Sequence, residues 1–525
     1  MTRSAAVVGG ATLASRITGL FRDVILAWVL GASMPADAFF AAFRIPNFLR
    51  RIFAEGSLSA AFIPVLTEVQ TREGPPSAFR LSSIILNWLV LVLLVISAAG
   101  VAFAPQLVHI MTPGWVQHPE KFTLTVELTR IMFPYILLIS VAALAMGVLN
   151  VQGHFFSPAF APVLLNLAMI SSVVFALWAR QEATRIIAIG VLLGGLAQIL
   201  LQAAPLWRRG YRYRWGLAPQ DIHLRRVGGL FLPSLIGSTV YQVNMVVIQV
   251  LASLLPHGSL SYLFYADRLM EFPLGVFAIA VGTVALPALS RHAARQEMPA
   301  FRETLAFAFR QVTLIMVPAT VGLIVLREPL MSVIFQRGRF DPLATQMSAQ
   351  ALLWYSVGLW FVAQIRVVAP AFYALKDTAT PMKAAVAAIG ANVLLSVLLM
   401  APLAHGGLAL AISLSAMVQL AILLWKMRPM LVKGDWGRML GPIGKVIFAS
   451  GIMGFLCWLV VSGLDWTGPT PFLTKILFLG ASLMLGVVVY GLLLHLLRVK
   501  EFRDLIQAFR ARRRGGGVDE AASLW

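Results

Sequence analysis

The chain has 525 residues, a mean hydropathy of +0.83 and charged side chains at only 12% of its positions, whereas soluble domains carry about 25%; a soluble domain and a disordered chain are therefore both excluded. Its single cysteine excludes an intrachain disulfide and a cysteine-based metal site. The net charge of +20 comes from basic residues gathered in loops between apolar stretches, which indicates orientation in a membrane rather than nucleic-acid binding.

The first predicted element is an apolar stretch over residues 4–30 that contains Arg16, Arg22 and Asp23. A charged side chain near the bilayer centre costs ~2.5–3.5 kcal/mol, so such residues usually face a protein interior or a watery cavity. The stretch is too long and too charged for a secretory leader, and we interpret it as the first retained membrane helix. Several cavity arginines are typical of a protein that handles anions.

The second apolar stretch, residues 37–66, is charged as well. It contains the polar side chains Arg44, Asn47, Arg50, Arg51 and Glu55. On a helix, Asn47 and Glu55 each lie four residues from Arg51 and share its face. The spacing therefore predicts a polar stripe along this helix.

About twelve further stretches are each long enough to cross a ~30 Å hydrocarbon core. They lie at approximately 81–104, 123–149, 159–179, 185–206, 227–255, 260–289, 304–326, 346–374, 382–401, 407–425, 443–463 and 474–497. The predicted fold class is an all-α polytopic membrane protein with about 14 transmembrane helices.

Lys and Arg predict the orientation. With about 14 spans, 26 of the 42 Lys and Arg residues fall in loops on one face, against 7 on the other. The positive-inside rule then puts both termini in the cytoplasm. The remaining arginines lie within spans, namely Arg16, Arg22, Arg44, Arg50, Arg51, Arg130, Arg268, Arg310 and Arg366. Of these, Arg130 and Arg310 are near span starts, where they can snorkel to the interface.

Two short matches indicate an internal repeat. Residues 40–44 match 264–268 at a shift of 224, and residues 150–158 match 373–381 at a shift of 223. Six spans fit within that shift, which predicts two six-helix lobes related by a pseudo-twofold axis along the membrane normal. The predicted domains are an N-lobe (1–226), a C-lobe (227–440), two further helices (441–498) and a basic cytoplasmic tail (499–525).

Three strings of residues are distinctive. They are Ser15-Arg16-x-x-Gly19-x-x-Arg22-Asp23, Arg50-Arg51-Ile52-Phe53-Ala54-Glu55-Gly56 and Tyr265-Ala266-Asp267-Arg268-Leu269-Met270-Glu271-Phe272-Pro273. With Phe133-Pro134-Tyr135, they resemble the MurJ (MviN) family of lipid II flippases. The resemblance runs from the first span to about the twelfth, and the last two spans match in pattern only.

The resemblance implies the MOP transporter superfamily fold and a place in the bacterial cytoplasmic membrane. It also implies that lipid II, an undecaprenyl-pyrophosphate-linked disaccharide peptide, is flipped outward by alternating access through a cationic central cavity. The expected substrate-binding residues are Arg16, Arg22, Arg50, Arg51 and Arg268. The expected charge partners or gate residues are Asp23, Asp37, Asn47, Glu55, Asp267 and Glu271. A groove beside the two last spans is expected to receive the lipid tail.

Other interpretations of these residues stay open. The charges can instead pair with one another and pin helices together. Arg50 and Arg51 can lie at the cytoplasmic interface, and Arg44 and Arg366 are undecided. Asp37 is a gate residue by resemblance and, as the alternative, a helix N-cap.

We expect no cofactor and no metal. Coupling to the membrane potential, ~2.3 kcal/mol per charge per 100 mV, is one energy source. A monovalent ion at Asp377 is the other, although Tyr373, the aligned partner position, is a poor sodium ligand. Expected partners are lipid II, anionic lipids of the cytoplasmic leaflet and cell-wall synthesis proteins, with no nucleic acid.

Two rival functions fit the sequence less well. An integral-membrane glycosyltransferase needs paired carboxylates or a histidine cluster in a loop, but the loops are short and the 8 histidines are scattered. Another MOP-superfamily exporter, of lipid-linked oligosaccharide or polysaccharide, is the closer alternative. An exporter of cationic drugs would need a negative cavity, so the sequence favours a transporter of anionic lipid over an enzyme.

Overall fold

The computed structural model describes residues 2–50 and 58–503. It is 86% helix, and none of the residues that it describes is in a β-strand. Within these ranges, 10 helical segments are long and apolar enough to cross a membrane. The prediction of an all-helical, multi-pass membrane protein is confirmed at this level.

The chain divides into two compact units, of which unit 1 comprises Met1–Ser261 together with Arg337–Phe340. Its helices are α1 Thr2–Leu30, α2 Met34–Arg50, α3 Ser59–Glu73, α4 Pro75–Ala102, α5 Ala104–Met111, α6 Pro119–Met132, α7 Tyr135–Val151, α8 Phe156–Ala179, α9 Ala183–Arg208 and α10 Ile222–Ser253. Helix α1 packs against α8, which packs against α9. This packing brings the charged face of α1 against the middle of α8.

Unit 2 comprises Tyr262–Gln336 and Asp341–Trp525. Its helices are α11 Ser259–Pro273 (whose first turn belongs to unit 1), α12 Ile279–Ala294, α13 Met298–Val325, α14 Arg327–Phe335, α15 Pro342–Ala374, α16 Ala379–Met427, α17 Lys433–Leu440, α18 Ile443–Val461 and α19 Phe472–Leu496. Helices α18 and α19 pack on each other, and α18 also packs on α13 while α19 packs on α14. An apolar cluster around Leu326, Met453 and Leu479 holds the two last long helices to unit 2.

Helix bounds in the two units repeat at one of the shifts that the sequence matches indicate. Helices α4, α5 and α8 begin at Pro75, Ala104 and Phe156, and their counterparts α13, α14 and α16 begin at Met298, Arg327 and Ala379. The shift is 223 in all three pairs, and the ends of α4 and α13 differ by the same amount. A constant shift in separate elements supports the internal repeat.

The turn after α7 has the same hydrogen bonds as the turn after α15. Gly153 and Lys376 both adopt the left-handed backbone conformation, with φ of +73° and +61°. One residue further on, the amides of His154 and Asp377 donate to the carbonyls of Leu149 and Phe372 at 2.8 and 2.9 Å. Each of these helices ends with a hydrogen bond from an amide to the carbonyl five residues earlier. The similarity between the two units therefore includes local backbone geometry.

Helix α16 contains the break that separates two predicted spans. Ala404 has φ 47° and ψ −128° inside an otherwise helical run. At a shift of 224 its counterpart in unit 1 is Arg180, the left-handed cap (φ 51°) that ends α8. Residues 379–403 and 405–427 are therefore two helices, as the predicted spans 382–401 and 407–425 require.

The predicted boundaries at 226, 440 and 498 concern the repeat and the membrane spans. The two compact units do not test them, and they stay predictions. Most of the predicted tail, residues 504–525, lies outside the described residues.

Candidate functional site

Arg22 is held on α1 by two neighbours. Its Nε and Nη2 donate to Asp23 Oδ1 at 2.9 and 2.7 Å, and its Nη1 donates to Asn166 Oδ1 of α8 at 2.9 Å. Only 13% of the Arg22 side chain and 3% of the Asp23 side chain are exposed. Asp23 therefore neutralises Arg22 in this state, while Asn166 fixes the direction of its guanidinium.

Asn166 is also bonded to the backbone of α1. Its Nδ2 donates to Ser15 O and to Thr18 Oγ1, both at 3.1 Å. Sequence reasoning missed Asn166 as a site residue. The available signal was an amide side chain inside the apolar stretch 159–179, where polar groups are costly.

Arg16 lies on the same helix, two turns before Asp23, and is half-buried. With the residues that the structure describes it makes no hydrogen bond and no ion pair. Arg16 and Arg22 thus differ: one cation is engaged by protein groups, and the other is available to an external anion. A guanidinium stays charged when partly desolvated and binds phosphate oxygens through two hydrogen bonds.

On α2, Arg50 Nε donates to Asn47 Oδ1 at 3.0 Å. This places Asn47 beside Arg50, three residues away, and orients that guanidinium. Arg51 and Glu55 lie outside the described residues, so their expected pairing stays a prediction.

Asp37 lies in the first turn of α2, and its side chain does not cap that helix. It accepts hydrogen bonds from Gly258 N (2.7 Å), Ser261 N (2.9 Å) and Ser261 Oγ (2.6 Å), at the start of α11. The alternative of a helix N-cap therefore does not hold for α2, because Asp37 lies three residues inside that helix. The carboxylate instead satisfies the free amides of another helix, where the helix dipole favours negative charge.

Lys121 completes what we call the Asp37 cluster: Asp37, Lys121, His257, Gly258 and Ser261. Its Nζ lies 2.7 Å from Asp37 Oδ2, 3.3 Å from His257 Nδ1 and 4.0 Å from the centre of the Trp115 ring. Sequence reasoning counted Lys121 as a loop charge, but the residue is only 1% exposed. Its burial depends on Asp37, 84 positions away, which no local pattern reveals.

Arg268 belongs to unit 2. Its Nη1 donates to Glu271 Oε2 at 2.9 Å, and its guanidinium lies 4.7 Å from the Phe264 ring centre. The side chain is 34% exposed and Asp267 is half-buried. Arg268 is thus paired along its own helix in the way that the three-residue spacing allows.

Two other predicted positions have structural partners. Arg310, expected to snorkel, pairs with Glu501 at 2.8 Å and Glu303 at 3.2 Å, with 11% of its side chain exposed. Asp377 Oδ1 accepts from Thr380 N at 2.9 Å, and hydrogen bonds from Thr380 lower the pKa of that carboxyl. Within the described residues, no group of three His, Cys, Asp or Glu could hold a metal ion.

Comparison with known proteins shows which family this chain resembles. A model of the lipid II flippase MurJ family matches residues 26–479. A probable lipid II flippase MurJ of Vibrio cholerae is 35% identical over 515 residues, covering 96% of this chain and 97% of the relative. A lipid II flippase MurJ of Burkholderia cenocepacia is 34% identical over 498 residues, covering 93% and 96%.

Two solved structures have folds similar to that of this chain. A lipid II flippase MurJ in an inward closed conformation superposes with a TM-score of 0.79 at 28% identity, covering 95% of this chain and all of that one. An inward-facing multidrug resistance MATE family transporter of the MOP superfamily gives 0.68 at 15% identity, covering 81% and 98%, and so shows the fold alone. The expected superfamily fold and the expectation of a transporter rather than an enzyme are confirmed. By the match over residues 26–479 and the full-length relatives, this chain belongs to the lipid II flippase MurJ family.

Proposed function

We propose that this protein flips lipid II from the inner to the outer leaflet of the bacterial cytoplasmic membrane, with Arg16 and Arg22 binding its pyrophosphate. The observation that carries the proposal is the pair of cations on α1. Arg16 has no protein partner among the described residues, and Arg22 is held ready by Asp23 and Asn166. An unpaired charge at membrane depth costs ~2.5–3.5 kcal/mol, and a bound anion removes that cost.

Substrate binding then proceeds by exchange of partners. Arg16 contacts the pyrophosphate first because none of the described residues competes for it. Arg22 follows by sharing or releasing Asp23, while Asn166 keeps the guanidinium in the same direction. Arg50, Arg51 and Arg268 are proposed as further contacts in a cationic cavity used by alternating access. Glu55, Asp267 and Glu271 are proposed to hold these arginines in the absence of substrate.

The Asp37 cluster is proposed as the closure of the outer side. It joins the starts of α2, α6 and α11 through one carboxylate, three hydrogen-bond donors of the α11 start and a buried ammonium. A buried ion pair of this kind is stable only while all its partners are in place, so the cluster favours two discrete arrangements over intermediate ones.

We propose 14 spans with both termini in the cytoplasm and two lobes related by a pseudo-twofold axis. The 10 apolar segments become 14 when α16 is divided at Ala404 and the charged elements α1, α2–α3 and α10 are added. The orientation is supported by the distribution of Lys and Arg. Two of the 7 cations counted on the outer face, Lys121 and Lys475, are buried. The excess of exposed Lys and Arg on the cytoplasmic face is therefore larger than the sequence count suggests.

No cofactor is proposed. The membrane potential or a monovalent ion near Asp377 supplies the energy, and the potential is worth ~2.3 kcal/mol per charge per 100 mV. Anionic lipids and cell-wall synthesis proteins are proposed as partners. The apolar face of α18 and α19 is proposed to carry the undecaprenyl tail, since Val487, Met484 and Leu496 are each more than 70% exposed.

The test is rescue of a flippase-depleted bacterial strain, with the accessibility of lipid II at the outer surface as readout. We expect the intact chain to rescue the strain and to restore the accessibility of lipid II at the outer surface. Arg16→Ala and Arg22→Ala should abolish outward movement of lipid II, although both variants still insert into the membrane. Arg208→Ala, which removes an exposed arginine at the end of α9, is the matched control and retains function. Normal rescue by both α1 variants would overturn the proposed role of these arginines.

A further inference from the structure

The end of α16 that the proposed orientation puts on the cytoplasmic side borders a cavity. It has a volume of about 480 Å³ and is lined by Leu424, Trp425, Arg428, Leu431 and Trp436. The chain leaves α16 at Met427, makes one tight turn over Arg428–Met430 and returns in the short helix α17. Trp436 of α17 thereby lines the same cavity as Trp425 and Arg428.

Of the described residues that line the cavity, one is a cation, Arg428, and none is a carboxylate. Arg428 is exposed, and it makes no ion pair with any residue in the described ranges. The nearest acidic residue along the chain, Asp435, is engaged elsewhere: it accepts from Val432 N at 2.8 Å and pairs with Arg302 and Arg438 at 3.6 and 3.7 Å. Among the described residues, no carboxylate compensates the positive charge at the cavity.

Aromatic and apolar surface adjoins this charge. The Trp425 residue is 64% exposed, and Lys426 Nζ lies 4.6 Å from the centre of its ring. Val432 is 57% exposed beside it. Tryptophan and basic residues at the end of a membrane span lie at the level of the lipid headgroups. A ligand for this cavity must offer an anionic group next to apolar surface.

We propose that this cavity binds the headgroup phosphate of an anionic phospholipid of the inner leaflet, of the phosphatidylglycerol type. Arg428 and Lys426 bind the phosphate, and Trp425, Leu424 and Leu431 contact the glycerol and upper acyl chain. The proposal deepens the proposed membrane orientation, on which it rests, and gives the anionic-lipid partner a defined site. A free phosphate lacks the apolar part that the two tryptophans and two leucines would contact.

The test is native mass spectrometry of the full-length protein in detergent. Phosphatidylglycerol and phosphatidylcholine with identical acyl chains are titrated separately, and inorganic phosphate is titrated alone. We expect preferential binding of phosphatidylglycerol. A basic residue near an anionic surface contributes about 1 kcal/mol, so each of Arg428→Gln and Lys426→Gln should weaken that binding about fivefold.

Two variants separate the site from general effects. Arg428→Lys keeps the charge and should retain most of the preference, which shows that loss in Arg428→Gln is not misfolding. Arg208→Gln, at an exposed arginine next to exposed Trp207 at the end of α9, is the matched control and should bind like the unaltered chain.

Equal binding of phosphatidylcholine, binding of inorganic phosphate as strong as that of phosphatidylglycerol, or an equal loss in Arg208→Gln would overturn the proposal. Since none of these measurements involves lipid II, their failure leaves the rescue experiment on Arg16 and Arg22 unaffected. Failure of the unaltered chain to rescue the depleted strain, with intact phosphatidylglycerol binding, would in turn count against the proposed function only.

Discussion

Lys121 Nζ lies 2.7 Å from Asp37 Oδ2, and both side chains are at most 2% exposed. The two residues are on different helices of unit 1, α6 and α2, at positions where the amino-terminal ends of both meet the start of α11. A fully buried ion pair is destabilising unless hydrogen bonds satisfy both partners. Here Asp37 accepts three further hydrogen bonds, and Lys121 contacts an aromatic ring and an imidazole. Each buried charge therefore has polar or cation–π partners besides the other.

Removing one partner of this pair should be costly. Lys121→Met leaves the Asp37 carboxylate buried with amide and hydroxyl donors but no cation, and we expect the free energy of unfolding to fall by about 3–5 kcal/mol. Thermal unfolding in detergent measures this loss. Adding Asp37→Asn to Lys121→Met should recover part of it, because the amide oxygen still accepts from α11 without a net charge. Equal stability of Lys121→Met and the unaltered chain would contradict the prediction.

The Asp37 cluster also predicts a pH dependence. His257 lies between Lys121, His118 and Asp37; partial desolvation and then the Lys121 charge lower the pKa of its imidazole. The unfolded chain therefore takes up a proton near pH 6.5 that the folded chain takes up only at lower pH, so stability falls as the pH drops below about 6.5. Unfolding temperatures at pH 7.5 and 5.5 check this.

A matched histidine controls that measurement. We expect His257→Gln to reduce the difference between the two pH values and His109→Gln, an exposed histidine on α5, to leave it as it is. An unchanged difference in His257→Gln would assign the pH dependence to other groups.

Asn166 predicts a graded effect on substrate binding. Asn166→Leu removes one acceptor from Arg22 and two hydrogen bonds to α1, while leaving both arginines in place. A hydrogen bond to a charged group contributes about 1.5–3 kcal/mol, so lipid II affinity should fall roughly tenfold or more. Arg22→Ala should fall further, and Asn166→Gln should lie between Asn166→Leu and the unaltered chain.

Lipid II affinity is measured by native mass spectrometry, as for the phospholipids. The control is Asn87→Leu on α4, which removes part-buried hydrogen bonds to Arg214 O, Gly216 O and Tyr213. It should lower stability without changing lipid II affinity. An equal loss of affinity in both leucine variants would show that Asn166 acts through the fold rather than through Arg22.

The sequence predicted what depends on local pattern. Periodic apolar stretches located the helices, and the gap between 401 and 407 located the break at Ala404. Two short matches at shifts of 223 and 224 indicated a repeat, and the turns at Gly153 and Lys376 share one hydrogen-bond pattern at a shift of 223. The α1 motif singled out Arg22 and Asp23, which are in direct contact.

What the sequence did not predict depends on residues distant along the chain. Asn166 is 144 positions from Arg22, and Ser261 is 224 positions from Asp37. Lys121 and Lys475 stand just before or at the start of apolar stretches, where charge ordinarily marks a loop. Only the tertiary structure supplies the acceptors that allow both ammonium groups to be buried.

The buried Lys475 ammonium predicts a loss of stability when it is removed. Its Nζ donates to Trp466 O at 2.6 Å, Ser332 Oγ at 3.1 Å and Gly468 O at 3.3 Å, so one ammonium joins α19, the loop before it and α14. Lys475→Met should leave these acceptors without their donor and cost about 1–3 kcal/mol, with Lys383→Met, on the partly exposed first turns of α16, as the control.

The functional consequence follows from where Lys475 sits. Helices α18 and α19 are the proposed carriers of the lipid tail, and Lys475 holds the start of α19 on α14 of unit 2. If that attachment keeps the two helices in place for the tail, Lys475→Met should lower the rescue of flippase depletion, while the affinity for a soluble headgroup analogue that lacks the tail stays the same. Because the headgroup is bound by arginines outside α18 and α19 in the proposed function, a loss of analogue affinity in Lys475→Met would contradict the separation of headgroup binding from tail binding.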